Sequence, residues 1–178
     1  MPARSTPAIP ATPLHIQPAT EQDIPTIIGL AEATWEPTYR FIISKEQIDY
    51  MYRVIYTPAS LRRQMQDEHH TFLVAHHDGT PAGYASFGPL PDEDGAKVFK
   101  LHKIYVLPTR QGQGLGLHLL DAVEQAARKA GGTFLDLNVN RYNPALAFYE
   151  RRGFERQREV DVAIGPYFMN DFVLRKKL

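Results

Sequence analysis

Apolar residues at helical spacing dominate the first third of the chain, after a short predicted strand over residues 14–17. The first stripe has members three or four positions apart: Ile24, Ile27, Ile28 and Ala31. Thr20 and Asp23 precede it with the spacing of a capping box, which satisfies free amides at a helix start. A second helix is predicted over residues 44–52, capped by its first serine, and Pro58 marks the first turn of a third.

Alternating, β-branched and aromatic runs then predict strands in the rest of the chain. They cover residues 71–76, 81–87, 97–106, 133–139, 154–164 and 166–174. Asp78 and Gly79 form the turn between the first two. A stripe at spacing four predicts a long helix from Leu115 that ends at Gly131, and Pro144 opens a short one. This order predicts a single α/β domain with a mixed, mostly antiparallel sheet and flanking helices.

Composition sets broad limits on function. The 178 residues include 20 basic and 20 acidic side chains, which gives no charge excess toward nucleic acid or a membrane surface, and no apolar stretch approaches the length of a membrane span. The absence of cysteine excludes disulfides, a cysteine nucleophile and thiolate metal sites. Residues 1–13, rich in proline and alanine, are expected to form a flexible tail before a domain at 14–178. They lack the pattern of a signal peptide, so we expect a cytoplasmic protein.

The stretch from Arg110 to Gly116 reads R-Q-G-Q-G-L-G and lies between a predicted strand and the long helix. Glycines at alternate positions let the backbone approach a ligand closely, and the free amides of a helix start attract anions. The stretch is therefore predicted to bind the pyrophosphate of a ligand. A P-loop would need Lys-Ser or Lys-Thr after Gly116, and a dinucleotide fingerprint would need its third glycine one residue later. A nucleotide- or NAD-binding domain is the alternative that this spacing disfavours.

Two motifs together carry a resemblance to a known family. Gln111, Gly114 and Gly116 have the spacing Q-x-x-G-x-G, and residues 143–154 match N-x-x-A-x-x-F-Y-x-x-x-G-F. In this order they resemble the signatures of the GCN5-related N-acetyltransferases, the GNAT family, and the resemblance covers residues 72–178. Three further segments resemble the PaiA-like branch of polyamine acetyltransferases: residues 34–39, 47–51 and 170–171.

The resemblance implies an N-acetyltransferase with acetyl-CoA as its cosubstrate. In this family a bulge splays the central strand from its neighbour, and the pantetheine arm adds along the open strand edge. The implied cofactor-binding residues are Ile104, Tyr105, Val106, Arg110, Gln111, Gly112, Gln113, Gly114, Leu115, Gly116, Asn138, Asn143 and Tyr149. The side chains of Ile104 and Val106 are expected in the core, so that their backbone would make the contacts. The resemblance also allows a homodimer through the C-terminal strands.

Acetyl transfer to an amine needs an acid for the departing CoA thiolate and a base for the amine proton. By resemblance Tyr149 is the acid, with a buried core tyrosine as the alternative. His102 is the first candidate for the base, because strict alternation along the strand would place it on the face of Ile104 and Val106. Glu36 is the second candidate.

Asn143 and two histidine pairs are the remaining polar residues to be assigned. Asn143 either binds CoA or caps the short helix that follows it. The histidine pairs at 69–70 and 76–77 have no third ligand at metal-site spacing, so we expect them at the surface and predict no metal site.

The acceptor is expected to be a primary amine, either a small molecule such as a polyamine or the amine of a protein or peptide. A polyamine would need a groove of carboxylates, for which the candidates are Glu36, Asp49, Asp92, Glu93, Asp94 and Asp171. Aromatic walls for cation–π contacts would come from Trp35, Tyr39, Tyr50 and Tyr52. Solvated carboxylates and core aromatics are the alternative for both sets. A non-catalytic acyl-CoA-binding or sensor module is the second hypothesis for the whole chain.

Overall fold

Strands and helices follow one another much as the sequence predicts in the computed structural model, which describes residues 14–178; the segment 1–13 lies outside the described residues. The strands are β1 (Leu14–Pro18), β2 (Thr71–His77), β3 (Thr80–Pro89), β4 (Val98–Val106), β5 (Phe134–Asn140), β6 (Glu155–Ile164) and β7 (Tyr167–Lys177). The helices are α1 (Ile24–Tyr39), α2 (Lys45–Ile55), α3 (Pro58–Gln66), α4 (Leu115–Lys129) and α5 (Ala145–Arg151).

The strands form one seven-stranded sheet in the order β1-β2-β3-β4-β5-β7-β6. The pair β4 and β5 is parallel, and α4 provides the crossover between them. Every other neighbouring pair is antiparallel. The predicted mixed, mostly antiparallel α/β fold is confirmed.

The sheet opens in its middle, as the resemblance implies. The β4–β5 pairing extends only from Val98–Phe134 to Leu101–Leu137. Beyond that point residues 103–106 pair with β3 alone and residues 138–140 pair with β7 alone. The two strands therefore part and leave a gap with an unpaired edge on each side.

A bulge in β4 lies at the start of this gap. Lys103 pairs with Ser86 of β3 and Leu101 pairs with Phe87, so His102 is an extra residue in β4. An extra residue bends a strand and reverses the faces of the side chains that follow it. The bulge therefore decides which side chains of β4 face each side of the sheet.

Each face of the sheet carries its own hydrophobic core. Helices α4 and α5 cover one face, which we call the α4 face, with a core that includes Leu101, Leu119, Leu137, Tyr149 and Leu174. Helices α1, α2 and α3 cover the other face, the α1 face, with a core that includes Ile27, Trp35, Met51, Leu61 and Tyr84. The gap between β4 and β5 joins the two faces.

The predicted helix starts are confirmed by their capping contacts. Ser44 Oγ accepts the Gln47 amide at 3.2 Å and so begins α2. The capping box of Thr20 and Asp23 is present, with the Thr20 amide donating to Asp23 at 2.7 Å, and it begins a short 3₁₀ turn that leads into α1.

Candidate functional site

Two adjoining cavities open where β4 and β5 part. The larger, of about 530 Å³, lies between the end of α1 and the ends of β4, β5 and β7. The smaller, of about 480 Å³, lies between the glycine-containing turn before α4 and helix α5. They share five wall residues: Ile104, Val106, Gln111, Ala145 and Tyr149. A ligand that follows the gap can therefore occupy both.

The turn before α4 needs glycine at two positions for conformational reasons. Gly112 and Gly114 have φ angles of 76° and 80°, which are left-handed values that favour glycine. Gly116 is the second residue of α4, where an added Cβ would meet Val106 Cγ2 at an ordinary 3.9 Å. Leu115 is buried and Gln113 is exposed outside both cavity walls, so any ligand contact from this turn comes mainly from the backbone.

The amides at this helix start are free to bind an anion. The first backbone bond of the helix runs from the His118 amide to Gly114 O at 3.1 Å, and no side chain caps the N-terminus. Within the described residues, the amides of 112–117 donate to no protein acceptor. Free amides at the positive end of a helix dipole bind phosphate well, so the turn fits the predicted pyrophosphate site.

The side chains of Arg110 and Gln111 hold the turn against the sheet. Gln111 Nε2 donates to the carbonyl oxygen of Val106 at 3.2 Å, and Arg110 Nη1 lies 3.1 Å from His77 Nδ1. Arg110 also lines the smaller cavity and gives it positive charge. Both predicted residues therefore lie at the site.

The open edge of β4 fits an extended arm. Ile104 and Val106 pack against the α4-face core, as expected, and their backbone faces the gap that β5 leaves. Tyr105 points to the α1 face instead, where its hydroxyl lies 2.8 Å from that of Tyr39. Unpaired peptide groups along a strand edge bind an extended chain by adding it as a further strand, which suits pantetheine.

Tyr149 of α5 lies where the two cavities meet. Only 7% of the residue is exposed, and its hydroxyl makes no hydrogen bond with the described residues. Burial raises the pKa of Tyr149 above its ordinary value, and the nearby Tyr39 adds to the effect. The phenol therefore stays protonated and can donate its proton into the cavities.

His102 has a different setting from the predicted one. The expectation that it shares a face with Ile104 and Val106 is wrong, because the bulge adds His102 to the strand and shifts the alternation. Its ring stacks on His70 with 3.8 Å between centroids, on the α1 face. Burial, with His70 and Lys103 nearby, lowers the pKa of His102 to about 2.

His70 itself corrects a second expectation. The sequence predicts His70 at the surface, but its side chain is only 9% exposed and stacks against His102. Burial lowers its pKa to about 4, with Lys103 contributing. Both imidazoles are therefore neutral at neutral pH.

Glu36 and most of the carboxylates considered for a polyamine groove lie elsewhere. Glu36 is exposed on α1 and lines neither cavity. Asp49 pairs with Lys45 at 2.8 Å, and Glu93 pairs with Arg175 at 2.8 Å. Of the six, only Asp171 lines a cavity, so the structure does not form a row of carboxylates.

The aromatic residues considered for the acceptor are mostly core. Trp35 Nε1 donates to the Tyr56 hydroxyl at 2.8 Å, Tyr52 stacks on Tyr56, and Tyr50 contacts Tyr167. Tyr39 alone of the four lines the larger cavity. Its burial raises its pKa to about 12.

Two asparagines complete the larger cavity. Asn143 Oδ1 accepts the Ala145 amide at 2.9 Å just before α5, whose cap position is Pro144, and Asn143 also lines the cavity. Asn138 lines the same cavity from the unpaired end of β5. Both predicted positions are therefore next to the gap.

Asp171 on β7 belongs to one of the segments that resemble the PaiA-like branch, but the sequence gives it no role beyond a place among six candidate carboxylates. It lines the larger cavity at 7% exposure, and its Oδ1 is buried with no hydrogen-bond partner among the described residues. Burial raises its pKa, and Asn138, Lys100 and Arg141 oppose the shift. An alternating strand pattern gives no local signal for such a residue; only the neighbouring strands define its setting.

The described residues contain neither a membrane-spanning helix nor a cluster of metal ligands. No helix within residues 14–178 has the length and apolar character needed to cross a membrane. No three or more His, Asp or Glu side chains of that range converge as metal ligands would.

Comparison with known proteins identifies the family. The model of the acetyltransferase (GNAT) family matches residues 26–154. The chain is 29% identical over 144 residues to the N-acetyltransferase YuaI of Bacillus subtilis, covering 81% of this chain and 82% of that protein. It is 37% identical over 83 residues to the L-methionine sulfoximine/L-methionine sulfone acetyltransferase of Salmonella typhimurium, covering 46% of this chain and 48% of that one.

A solved structure agrees over almost the whole chain. The PaiA N-acetyltransferase of Thermoplasma acidophilum, crystallised in complex with coenzyme A, matches with a TM-score of 0.78 and 26% identity, covering 93% of this chain and 99% of that one. The gap between β4 and β5, the free amides before α4 and the family match all indicate a CoA ligand. The chain belongs to the GNAT acetyltransferase family and is an acetyl-CoA-dependent N-acetyltransferase.

Proposed function

We propose that the protein transfers the acetyl group to a primary amine by direct attack of the amine on the thioester, with Tyr149 as the general acid. The observation that carries the proposal is the position of Tyr149 at the junction of the two cavities, with a hydroxyl that makes no hydrogen bond among the described residues. No covalent enzyme intermediate is expected, because the chain has no cysteine.

Each part of the site would have a separate task. The free amides of residues 112–117 would hold the pyrophosphate, and the open edge at Ile104 and Val106 would hold the pantetheine arm. Acetyl-CoA supplies the activated acyl group. As the carbon–nitrogen bond forms and the carbon–sulfur bond breaks, Tyr149 would protonate the departing sulfur. Burial destabilises the phenolate of Tyr149, but it also destabilises the thiolate of the departing CoA. Burial therefore does not by itself oppose proton transfer from Tyr149 to the sulfur.

His102 is poorly suited to act as the base that takes the proton of the amine. A general base works best when its pKa lies near the working pH. The buried and stacked His102 has its pKa lowered to about 2, and Glu36 is exposed outside both cavities. Both roles stay predictions, and the structure favours a different group, Asp171, described below.

The acceptor and the cellular setting are narrower proposals. PaiA is the structural relative, while the Salmonella relative acts on amino-acid analogues by its name, so a polyamine and an amino-acid-like amine are the two classes to separate. We propose a cytoplasmic enzyme without a nucleic-acid partner, in keeping with the balanced charge. A homodimer is also proposed, and sedimentation velocity would test it.

Replacement of Tyr149 by phenylalanine tests the proposed acid. Thiol release from acetyl-CoA is measured across a panel of amines, and CoA affinity is measured by calorimetry. Tyr149→Phe should lower kcat by about 100-fold or more, the range for general acid catalysis, and leave CoA affinity within about threefold. The control Tyr142→Phe alters an exposed tyrosine outside both cavities and should leave both values unchanged.

Two results would contradict the proposal in different ways. Full turnover by Tyr149→Phe would remove the acid assignment and leave transfer intact. Saturable CoA binding by the natural chain without thiol release from any amine would count against transfer and favour the acyl-CoA-binding module.

A further inference from the structure

The larger cavity contains one buried carboxylate that forms no ion pair within the part of the chain that the structure describes. Asp171 lies on β7 between Asn140 of β5 and Val160 of β6. It is more than nine-tenths buried, with Oδ1 fully buried and without a hydrogen-bond partner among the described residues. An unpaired buried carboxylate is costly, so a residue of this kind is best explained by a ligand that pairs with it.

The charged groups around Asp171 do not provide that partner. Arg141, on the loop after β5, binds Asp161 at 3.0 Å and Glu159 at 3.5 Å, and reaches only the backbone oxygen of Asp171. Lys100 of β4 is partly buried and forms no ion pair with Asp171 within 4.0 Å in the described chain. Asn138 of β5 and Tyr39 of α1 are the neutral neighbours, and the amide of Asn138 lies close enough to the carboxylate to oppose the rise of its pKa. These neighbours leave Oδ1 of Asp171 without a hydrogen-bond partner among the described residues.

The same cavity carries a free cation at its mouth. Arg40 follows α1, is exposed, lines the larger cavity and has no carboxylate partner within the part of the chain that the structure describes. Its guanidinium lies 5.2 Å from the centre of the Phe41 ring. The other cation in the wall, Lys103, is already held by Gln64 Oε1 at 2.6 Å. The cavity thus offers one carboxylate without an ion-pair partner and two cations without a carboxylate partner, and Arg40 is the cation that no side-chain hydrogen bond already holds among the described residues.

We propose that the acceptor is a zwitterionic amine of the amino-acid type, with its ammonium bound by Asp171 and its anionic group bound by Arg40. This inference rests on the proposed function and specifies its substrate class. A polyamine carries only positive charges, and it would meet a single carboxylate together with Arg40 and Lys103. Complementary charges therefore favour an amine that also carries a carboxylate.

Asp171 would also take part in the reaction. The bound ammonium gives one proton to the Asp171 carboxylate, which leaves a neutral amine able to attack. Tyr149 gives its own proton to the departing sulfur. After the carbon–nitrogen bond forms, the nitrogen loses a second proton, and this proton returns to Tyr149 and restores the phenol. The products are the N-acetyl amine and CoA, and the first proton leaves Asp171 for solvent. Burial raises the pKa of this carboxyl, which makes it a better proton acceptor than an exposed aspartate.

Thiol release with matched amines tests the acceptor class. The panel contains the common L-amino acids, the corresponding amino-acid amides, which lack the carboxylate, and spermidine. The natural chain should use its best amino acid with a kcat/KM at least about tenfold above that for the matching amide or for spermidine, the order of a partly exposed charge pair. A preference for spermidine or for the amides would overturn the proposal while leaving acetyl transfer established.

Variants at the two charges separate their roles. Arg40→Ala should raise KM for amino acids and remove their advantage over the amides, and Arg53→Ala, an exposed arginine outside both cavities, should not. Asp171→Asn should lower kcat/KM for every amine by about 100-fold with CoA affinity unchanged, and Asp121→Asn on α4 should not. Equal activity of Asp171→Asn would overturn the proposal.

A misfolded Asp171→Asn variant and an inactive natural chain can both be told apart from a wrong acceptor assignment. If Asp171→Asn loses its thermal unfolding transition, the preference of the natural chain and its loss in Arg40→Ala decide the question, because Arg40 lies at the surface. If the natural chain binds CoA and acetylates no amine, the proposed function falls and the acceptor assignment falls with it.

Discussion

The stacked histidines His70 and His102 are the most unusual residues of the α1 face. Their rings lie 3.8 Å apart, and His70 Nδ1 and His102 Nε2 are buried without hydrogen-bond partners among the described residues. Lys103 lies nearby and is itself buried, which lowers its pKa to about 8. Glu68 Oε2 lies 3.6 Å from His70 Nε2 and favours a proton there, but burial and the nearby Lys103 outweigh it, so the pair is more stable when neutral.

Acid should therefore destabilise the fold through this pair. Burial holds the pKa of His70 at about 4 and of His102 at about 2. In the unfolded chain both return to about 6.5, so the unfolded state binds more protons below that pH. The free energy of unfolding should be retained above about pH 6.5 and should fall as the pH drops below it, with a slope that approaches about 1.4 kcal/mol per pH unit for each histidine.

Urea unfolding between about pH 7 and pH 5 measures this slope. His102→Phe keeps a ring for stacking and removes one titrating group, so its stability should depend less steeply on pH than that of the natural chain. His15→Phe, at an exposed position on β1, is the control and should keep the natural slope. Equal slopes in all three proteins would mean that His102 takes up a proton as readily in the folded chain as in the unfolded chain, which would contradict this prediction.

Residues whose signal is local were predictable from the sequence, and those that depend on distant strands were not. Asn143 and Tyr149 lie within one short motif, and the structure places both at the gap. The face of His102 depends on its register with β3, which no window of sequence contains. Asp171 is one carboxylate among many until β5, β6 and β7 surround it.

At the scale of elements, the start of α4 is where local structure and ligand binding are most closely linked. Gly114 is the N-cap residue, with a left-handed φ of 80°, and its helix has no side-chain cap. Gly116 already has helical geometry, with space for a methyl group beside Val106. The two glycines therefore have different reasons to be glycine.

Alanine substitutions separate these reasons. Gly114→Ala should destabilise the free protein by about 1–2 kcal/mol, since a side chain is strained in the left-handed region. Gly116→Ala should leave the free protein as stable as the natural chain or more stable by up to about 1 kcal/mol, because alanine favours a helix. Its CoA affinity should nevertheless fall about tenfold if the ligand's phosphates contact this backbone.

Thermal unfolding and CoA calorimetry on both variants provide the test. Natural CoA affinity in a stable Gly116→Ala protein would show that the ligand does not approach Gly116. It would then leave Gly112 and Gly114 as conformational requirements of the turn and nothing more.

The elements themselves were largely predictable because their signals are short. Ser44 and Thr57 cap their helices through contacts within three residues, and Asp78 with Gly79 turns the β2–β3 hairpin. The acidic loop before β4 was harder to interpret. Arg175 of β7 binds both Glu93 of this loop and Asp136 of β5, and this contact assigns Glu93 to structure and not to substrate.

At the scale of the whole molecule, the gap divides the sheet into two parts. Strands β1–β4 and strands β5–β7 share only the four residue pairs at the start of β4 and β5. Elsewhere, contacts of the helices on the two faces of the sheet connect the two parts. Gln47 of α2 donates to Phe168 O at 2.8 Å on one face, and Lys176 of β7 binds Glu124 of α4 at 2.7 Å on the other. The gap is thus held open by packing around it, and a ligand can fill it without unfolding either part.

Because a CoA molecule in the gap would contact both parts, its binding should stabilise the chain as a unit and protect the strand ends in particular. Amide hydrogen exchange should be faster at residues 102–106 and 138–140 than in the paired region at 98–101. CoA at about 100 times its Kd should add about 2.7 kcal/mol to the free energy of unfolding and raise Tm by several degrees. Exchange should then slow most at these strand ends and at 112–117, while NAD at the same concentration should change nothing. Added protection of the edge strands β1 and β6 alone is expected from the global stabilisation, so the strand ends decide the question. If CoA raises Tm but gives residues 102–106, 138–140 and 112–117 no protection beyond that of the edge strands, the roles assigned to the walls of the gap would have to be abandoned.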